Sequence, residues 1–202
     1  MTNDGPNDLF LRVNDFAQST PWLHSPMVTW AKYGVVVFAV LLLVGWWYAR
    51  SRESRTMAAT LLAPVATVIA VAVNQPIIKA VNEARPYALH PQALVLVTKT
   101  ADPSLPSDHA TMAGAVAMGL FLVSWRLGLL AAGLAGLMAF ARVYVGAHYP
   151  QDVVAGLLFG AAVALLVWMI LRVPVTRVVE RLRAGRLRPL VGYEALPAAA
   201  AP

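Results

Sequence analysis

The sequence predicts an all-α fold: a polytopic membrane helix bundle with about five transmembrane helices and an interfacial helix at the N-terminus. Three observations support that expectation. Hydrophobic residues make up 59% of the chain and charged residues only 13%, about half the roughly 25% that a soluble domain carries. Residues 57–78 and 153–171 hold no charged side chain, and each run comes close to the ~20 helical residues that cross a hydrocarbon core. Arginines gather just outside the apolar runs, at Arg50, Arg52 and Arg55, at Arg126, and from Arg172 onward.

Taken in chain order, the elements justify themselves. In residues 7–18, Leu9, Phe10, Val13 and Phe16 recur at helical spacing while Asp8, Arg12 and Asp15 fall elsewhere, the pattern of a helix lying along a membrane surface. No basic start, apolar stretch and small-residue cleavage site open the chain, so a signal peptide is not expected. Five spans follow, at 27–48, 57–78, 110–125, 127–144 and 153–171. The third and fourth are separated only by the region of Arg126 and should form a helical hairpin. Pro64 is a candidate kink in the second span. Trp30, Trp46, Trp47, Trp125 and Trp168 lie near span ends, where indoles anchor to the interface and pack. Gly156 and Gly160 form a G-x-x-x-G, and Gly128, Gly133 and Gly136 dot the fourth span; close helix contact is the role expected of all five. The chain thus divides into an interfacial segment at 1–26, a membrane-embedded domain at 27–172 and a basic cytoplasmic tail at 173–202. The Ala/Pro-rich end of that tail, 195–202, is expected to be disordered.

Charge orients the bundle. The arginines after spans one, three and five fall on one side, which the positive-inside rule makes cytoplasmic. Arg12, Lys32, Lys79, Arg85, Lys99 and Arg142 fall on the other. The net charge of +6 comes without an aromatic-interleaved basic stripe, so membrane lipids, not nucleic acid, are the expected partners. Cysteine is absent, which excludes a disulfide framework and a thiolate metal site.

Three segments hold most of the ionisable residues that topology leaves unexplained: Lys79 to Pro86, Pro106 to His109, and Arg142 to Asp152. With five spans they meet at one membrane face. Two histidines, two or three cations and a carboxylate there are the inventory for holding a phosphate and breaking its ester or anhydride bond. Arginine offers planar paired donors to phosphate oxygens, and histidine can attack phosphorus or pass a proton near neutral pH.

These blocks resemble the type 2 phosphatidic acid phosphatase family, whose pattern is K-x6-R-P, then P-S-G-H, then S-R-x5-H-x3-D. The likeness covers roughly residues 74–152 and the surrounding spans, and its third block fits without a gap at Arg142, His148 and Asp152. Within the family, A-R-P-Y-A-L-H, P-S-D-H-A-T and R-V-Y-V-G-A-H-Y-P-Q-D look most like bacterial undecaprenyl pyrophosphate phosphatases of the bacitracin-resistance type. The resemblance implies that His148 attacks phosphorus and forms a phosphohistidine, that Asp152 holds its imidazole, and that His109 protonates the leaving oxygen and then activates water. It further implies phosphate binding by Arg85, Arg142, Ser107 and Lys79, with no metal or other cofactor. The start of the fifth span would add amide donors.

Three departures bear on these roles. Five residues, not six, separate Lys79 from Arg85, which on a helix leaves the two about 120° apart; pairing with Glu83 is the structural alternative for Lys79. Ala141 stands where the family has serine, and Asp108 adds an anion beside His109. Outside the motifs, His90 and the pair Lys99 and Asp102 are read as solvated loop residues and His24 as interfacial. For Asn74, a helix contact and a site-orienting bond are both open. The expected reaction is hydrolysis of a lipid phosphate or pyrophosphate, undecaprenyl pyrophosphate to the monophosphate, at the extracytoplasmic face of a bacterial inner membrane. Two alternatives are a phosphatidic acid or phosphatidylglycerol phosphate phosphatase, and a non-catalytic lipid-binding or lipid-moving protein.

Overall fold

The computed structural model describes residues 6–192, and among these the regular structure is entirely helical. An amphipathic helix α1 (Pro6–Ser19) leads through a single 3-10 turn at Pro21–Leu23 into α2 (His24–Ala49). The chain continues as α3 (Ser54–Val81), a short α4 (Pro86–Leu89), α5 (Asp108–Val123), α6 (Trp125–Tyr144), α7 (Pro150–Ala184) and a final turn α8 (Arg188–Val191). Helices α2, α3, α6 and α7 are long and apolar enough to cross a membrane, and α5 is apolar but shorter at 16 residues. These are the five spans read from the sequence, and the chain is a multi-pass membrane protein.

The packing is inverted relative to a soluble bundle. Large side chains such as Val36, Leu43, Val68, Leu158 and Ile170 point outward, where lipid tails solvate them as well as protein would. Small residues fill much of the interior beside a few large ones such as Phe38 and Leu120: Ala58, Ala66, Ala70, Ala113, Ala115, Ala131 and Ala164 are almost fully buried. Small residues let backbones approach closely, which is how helices gain contact when no hydrophobic force separates them from lipid. α5 is buried on nearly every side, with Ala110, Gly114, Ala117 and Leu120 all inside, and it packs against α2, α3, α6 and α7. A Cβ at Gly156 would come within 2.7 Å of the Ser107 carbonyl, and one at Gly160 would collide with that of Thr111, so the G-x-x-x-G is the α7 side of the α5 contact. Gly128 is similarly filled by Phe121. A Cβ at Gly133 or Gly136 would meet nothing within 4 Å; these two face outward and are not contact glycines.

Other elements refine the expectations. α3 remains one helix through both Pro64 and Pro76. Trp47 and Trp125 are exposed, but Trp168 is buried in the core under the Arg55 guanidinium. On α1 the buried face is Phe10, Asn14 and Ala17, while Leu9 and Phe16 are exposed; the helix docks on α6 and α7 instead of presenting its whole apolar stripe to lipid. Past Leu171 the helix does not stop: residues 173–184 extend α7, and α8 folds back so that Arg183 reaches the loop between α2 and α3. Residues 195–202 lie outside the described residues.

Candidate active site

Two helix ends and one long loop build the site. α3 terminates at Asn82, which takes the left-handed conformation (φ 50°) and returns its N–H to the Ile78 carbonyl. Asparagine tolerates that conformation better than most residues, and the turn lets Arg85 leave the helix in extended backbone. α6 ends in a tight connection to α7 across residues 145–149. Gly146 there has φ +78°, and a side chain would stand 2.5 Å from the Leu94 carbonyl oxygen, so both its conformation and its neighbour require glycine. The loop from 90 to 107 is tied down on each side. Asn14 of α1 donates to the Leu94 carbonyl and accepts from its N–H at 2.8 and 3.0 Å, Leu96 donates to Val145 at 3.0 Å, and Ser104 donates to Glu83 at 2.8 Å.

His148 and Asp152 straddle the start of α7, four positions apart. His148 is 3% exposed and Asp152 fully buried. The His148 Nδ1 lies 3.0 Å from the Ser104 carbonyl and 3.3 Å from Asp152 Oδ2. Both are acceptors, so Nδ1 carries the proton and Nε2 presents its lone pair. The Ser104 hydroxyl donates to the same Asp152 oxygen, and the Tyr149 N–H donates to it at 2.9 Å. Asp152 is thereby fixed by groups other than the histidine it holds. Burial pushes the His148 imidazole below the ordinary histidine range, outweighing the hydrogen bond and charge of Asp152, and the charges of Arg142 and Arg85 push the same way as burial. A neutral imidazole with its Nε2 lone pair available is the form a nucleophile needs.

Nε2 is 3.4 Å from Arg85 Nη1, and both residues line a cavity of about 460 Å³. Arg85, His109, Arg142 and His148 all line that cavity. Arg85 is locked by bonds to the carbonyls of Asp102 and Ala147 at 2.9 and 3.0 Å and by an ion pair with the Asp102 carboxylate. Partial burial would raise that carboxyl, but hydrogen bonds from Thr100 and Arg85 and the Arg85 charge together hold it below its usual value. Arg142 differs: its Nε is buried without an acceptor, and among the described residues no carboxylate forms an ion pair with it. Asp102 and Asp108 line the same cavity, but both are committed to other partners, which leaves the guanidinium without an ion pair. Among the same residues no group of three or more His, Asp or Glu is placed to hold a metal ion.

The remaining sequence-derived residues fall differently. Ser107 is fully buried at the N-cap of α5, its N–H donating to the Asp152 carbonyl, and its hydroxyl does not line the cavity. Lys79 is exposed on α3 and is also absent from the lining; its alternative partner Glu83 instead accepts from Gln151 of α7 at 3.0 Å. Asp108 lines the cavity, but its carboxylate is taken by Asn74 at 2.8 Å and Gln75 at 2.9 and 3.0 Å. Of the two roles open for Asn74, the site-orienting bond is therefore present. The α7 amide end, expected to bind phosphate, is capped by Asp152. His90 is no solvated loop residue: its ring packs against Phe10 and Tyr149 at centroid distances of 5.7 and 6.2 Å. Asp102 does not pair with Lys99, whose ammonium sits 5.7 Å from the Tyr87 ring centroid. Sequence reasoning misses Ser104 and Asp102. No local spacing marks either one, although Ser104 stands two residues before the Pro106-Ser107 block and could be weighed with it.

Known proteins resemble this chain in sequence and fold. The undecaprenyl-diphosphatase BcrC of Bacillus subtilis (strain 168) is 29% identical over 161 residues, 79% of this chain and 80% of that protein. The undecaprenyl-diphosphatase of Sulfolobus acidocaldarius is 32% identical over 168 residues, 79% of this chain and 75% of that protein. The crystal structure of Aquifex aeolicus LpxE superposes with a TM-score of 0.61 at 23% identity, covering 80% of this chain and 93% of that one, a likeness of fold. The family model of the PAP2 superfamily matches residues 59–174, more than half of the chain and a stretch that includes Arg85, His109, Arg142 and His148, and the chain belongs to that superfamily.

Proposed function

We propose that the chain hydrolyses a lipid diphosphate, an isoprenoid diphosphate of the undecaprenyl type, to its monophosphate through a phosphohistidine on His148. The observation that carries this reading is the buried His148, whose Nε2 lone pair faces Arg85 Nη1 at 3.4 Å in a cavity also lined by an Arg142 guanidinium that forms no ion pair. The Nε2 lone pair attacks the terminal phosphorus, and the bond from phosphorus to the bridging oxygen breaks. His109 gives that oxygen a proton. It then takes one from water, whose oxygen displaces the histidine and releases inorganic phosphate. Arg85 and Arg142 balance charge on the equatorial oxygens, where transfer concentrates it. The names of the two relatives supply the choice of lipid, and the apolar cavity wall formed by Val28, Ala31 and Ile78 suits the first units of a hydrocarbon tail.

The same proposal puts the reaction at the extracytoplasmic face of a bacterial inner membrane. Arg50 donates to the Pro189 carbonyl and Arg183 to Ser54 and Arg52, so the arginine-rich segments meet at the bundle end opposite His148, the end that the positive-inside rule makes cytoplasmic. The test uses purified protein, a long-chain prenyl diphosphate and excess chelator. Phosphate release should persist, an acid-labile phosphoenzyme should be trapped, and His148→Ala should lose both. Chelation that stops turnover until one divalent ion is restored, or a His148→Ala variant that still releases phosphate, overturns the mechanism. Gln92→Cys should react with an impermeant thiol reagent in intact spheroplasts and Glu53→Cys only after lysis; the reverse pattern overturns the placement.

A further inference from the structure

Lys32 sits nine residues into α2, inside the first apolar span, where an ammonium is costly unless it meets an anion or water. It shares one face of the helix with Val28 and Ala31, at i, i+3 and i+4 spacing, and all three line the active-site cavity. Its ammonium lies 5.2 Å from the Tyr33 ring centroid, and among the described residues no carboxylate forms an ion pair with it. Both carboxylates of the cavity wall are committed elsewhere, Asp102 to Arg85 and Asp108 to Asn74 and Gln75. Lys32 is also exposed whereas His148 is 3% exposed. The cavity wall therefore carries two half-buried cations, Arg85 and Arg142, and a more exposed one, Lys32.

We infer that Lys32 binds the second phosphate of a diphosphate substrate, the one that stays on the lipid, and so sets the preference for diphosphates over monophosphate esters. This rests on the proposed reaction at His148. With the terminal phosphorus at Nε2, the next phosphate of the chain must point outward, and an in-line displacement leaves it as the departing group. The departing lipid monophosphate remains anionic even when His109 protonates its bridging oxygen, and Lys32 holds that charge as the group leaves. A monoester leaves as an alcohol with no second phosphate for Lys32 to hold. Lysine suits the position because a flexible point charge can follow a departing phosphate, whereas the reacting one needs the fixed donor plane of arginine.

The experiment compares wild type, Lys32→Met and Lys32→Arg as full-length protein in detergent. The probes are methylenediphosphonate and inorganic phosphate by calorimetry, then a prenyl diphosphate and a phosphatidate by turnover. The ratio of diphosphonate to phosphate affinity should fall about tenfold in Lys32→Met, the size of one charge-assisted hydrogen bond, and recover largely in Lys32→Arg. The ratio of kcat/KM between the two lipids should fall in parallel. An affinity ratio unchanged by Lys32→Met, or equal weakening of both ligands, overturns the assignment. A wild-type protein that ignores the prenyl diphosphate while the binding ratio still falls defeats the proposed substrate and leaves Lys32 as a diphosphate ligand.

Discussion

Two arginines at opposite ends of the bundle, Arg142 and Arg183, have little access to water, and their environments are opposite. Arg183 is saturated: its guanidinium donates to the Val191 carbonyl at 3.3 and 3.2 Å, to the Ser54 hydroxyl at 3.2 Å and to the Arg52 carbonyl at 2.8 Å. It fastens α7, α8 and the loop between α2 and α3 into one cap. Arg142 has no such set of acceptors, and its Nε is buried without one. A structural cation is recognised by completed hydrogen bonds, and a functional one by donors left over for something the protein does not itself supply. Asp152 combines both conditions: Oδ2 is held by Ser104, Tyr149 and His148, whereas Oδ1 is buried without a partner.

That contrast is most easily broken at Asp152. Asp152→Asn should cut kcat by roughly a thousandfold or more, as loss of the supporting carboxylate does in histidine-dependent hydrolases, with the fold retained. The pH profile gives a separate reading. Neutral His148 is the attacking form, and burial has moved its protonation below the ordinary range, so kcat/KM should hold on the acid side until below that range. Asp152 pushes the imidazole the other way, upward. In the asparagine variant the acid limb of the residual activity should therefore move to still lower pH; an upward shift would show that Asp152 does not face a titrating His148.

The two arginines come next. Arg142→Lys should lower kcat/KM by about a hundredfold, because an ammonium cannot replace paired donors at developing charge, and should leave the melting temperature nearly unchanged. Arg183→Met should do the reverse. It leaves the Val191, Arg52 and Ser54 oxygens with fewer partners at about 1–3 kcal/mol for such a loss, equivalent to roughly 2–4 °C per kcal/mol in a chain of this size, with turnover little altered. A stability loss in Arg142→Lys matching that of Arg183→Met would erase the distinction. A smaller effect belongs to Ser104→Ala, about tenfold in kcat for one lost hydrogen bond, with KM unmoved because Ser104 does not touch the substrate; a glycine at the same position should behave alike, since the carbonyl that receives Nδ1 is retained.

How much of this can be read from the sequence depends on distance along the chain. His148 and Asp152 are legible because four residues on a helix start fix their contact locally, and Arg85 and Arg142 because motif and parity put them at one face. The five spans follow from composition alone. Ser104 and Asp102 are not legible: they lie on a loop of some twenty residues whose path is set by Asn14, Val145 and Glu83, each distant in sequence. Hydrophobic spacing marks the apolar stripe of α1 but not the face that docks on the bundle, because a polar residue, Asn14, turns inward to clamp Leu94, which no hydrophobic count rewards. Gly133 and Gly136 mislead for the converse reason. Small residues predict close approach only when a neighbour is there, and which helix faces lipid is a tertiary fact.

The smallest effect is expected at Lys79, and it sharpens the comparison by lying on the site end without belonging to the site. Lys79 and Arg85 are separated by one residue fewer than the family pattern, and α3 keeps its helical course through Val81 before Asn82 turns the chain. The lysine is thus left on the exposed side of the last turn while Arg85 swings under the loop to meet Asp102. Lys79→Met should change kcat/KM by less than about twofold, the range of an ordinary surface substitution. Its effect should also be the same for diphosphate and monophosphate lipids, unlike that of Lys32→Met. A loss comparable to Arg142→Lys would mean that the end of α3 unwinds when substrate binds and carries Lys79 into the cavity. Such unwinding would show as faster hydrogen exchange at residues 78–82 in the presence of methylenediphosphonate, whereas a fixed helix end should exchange more slowly or not change.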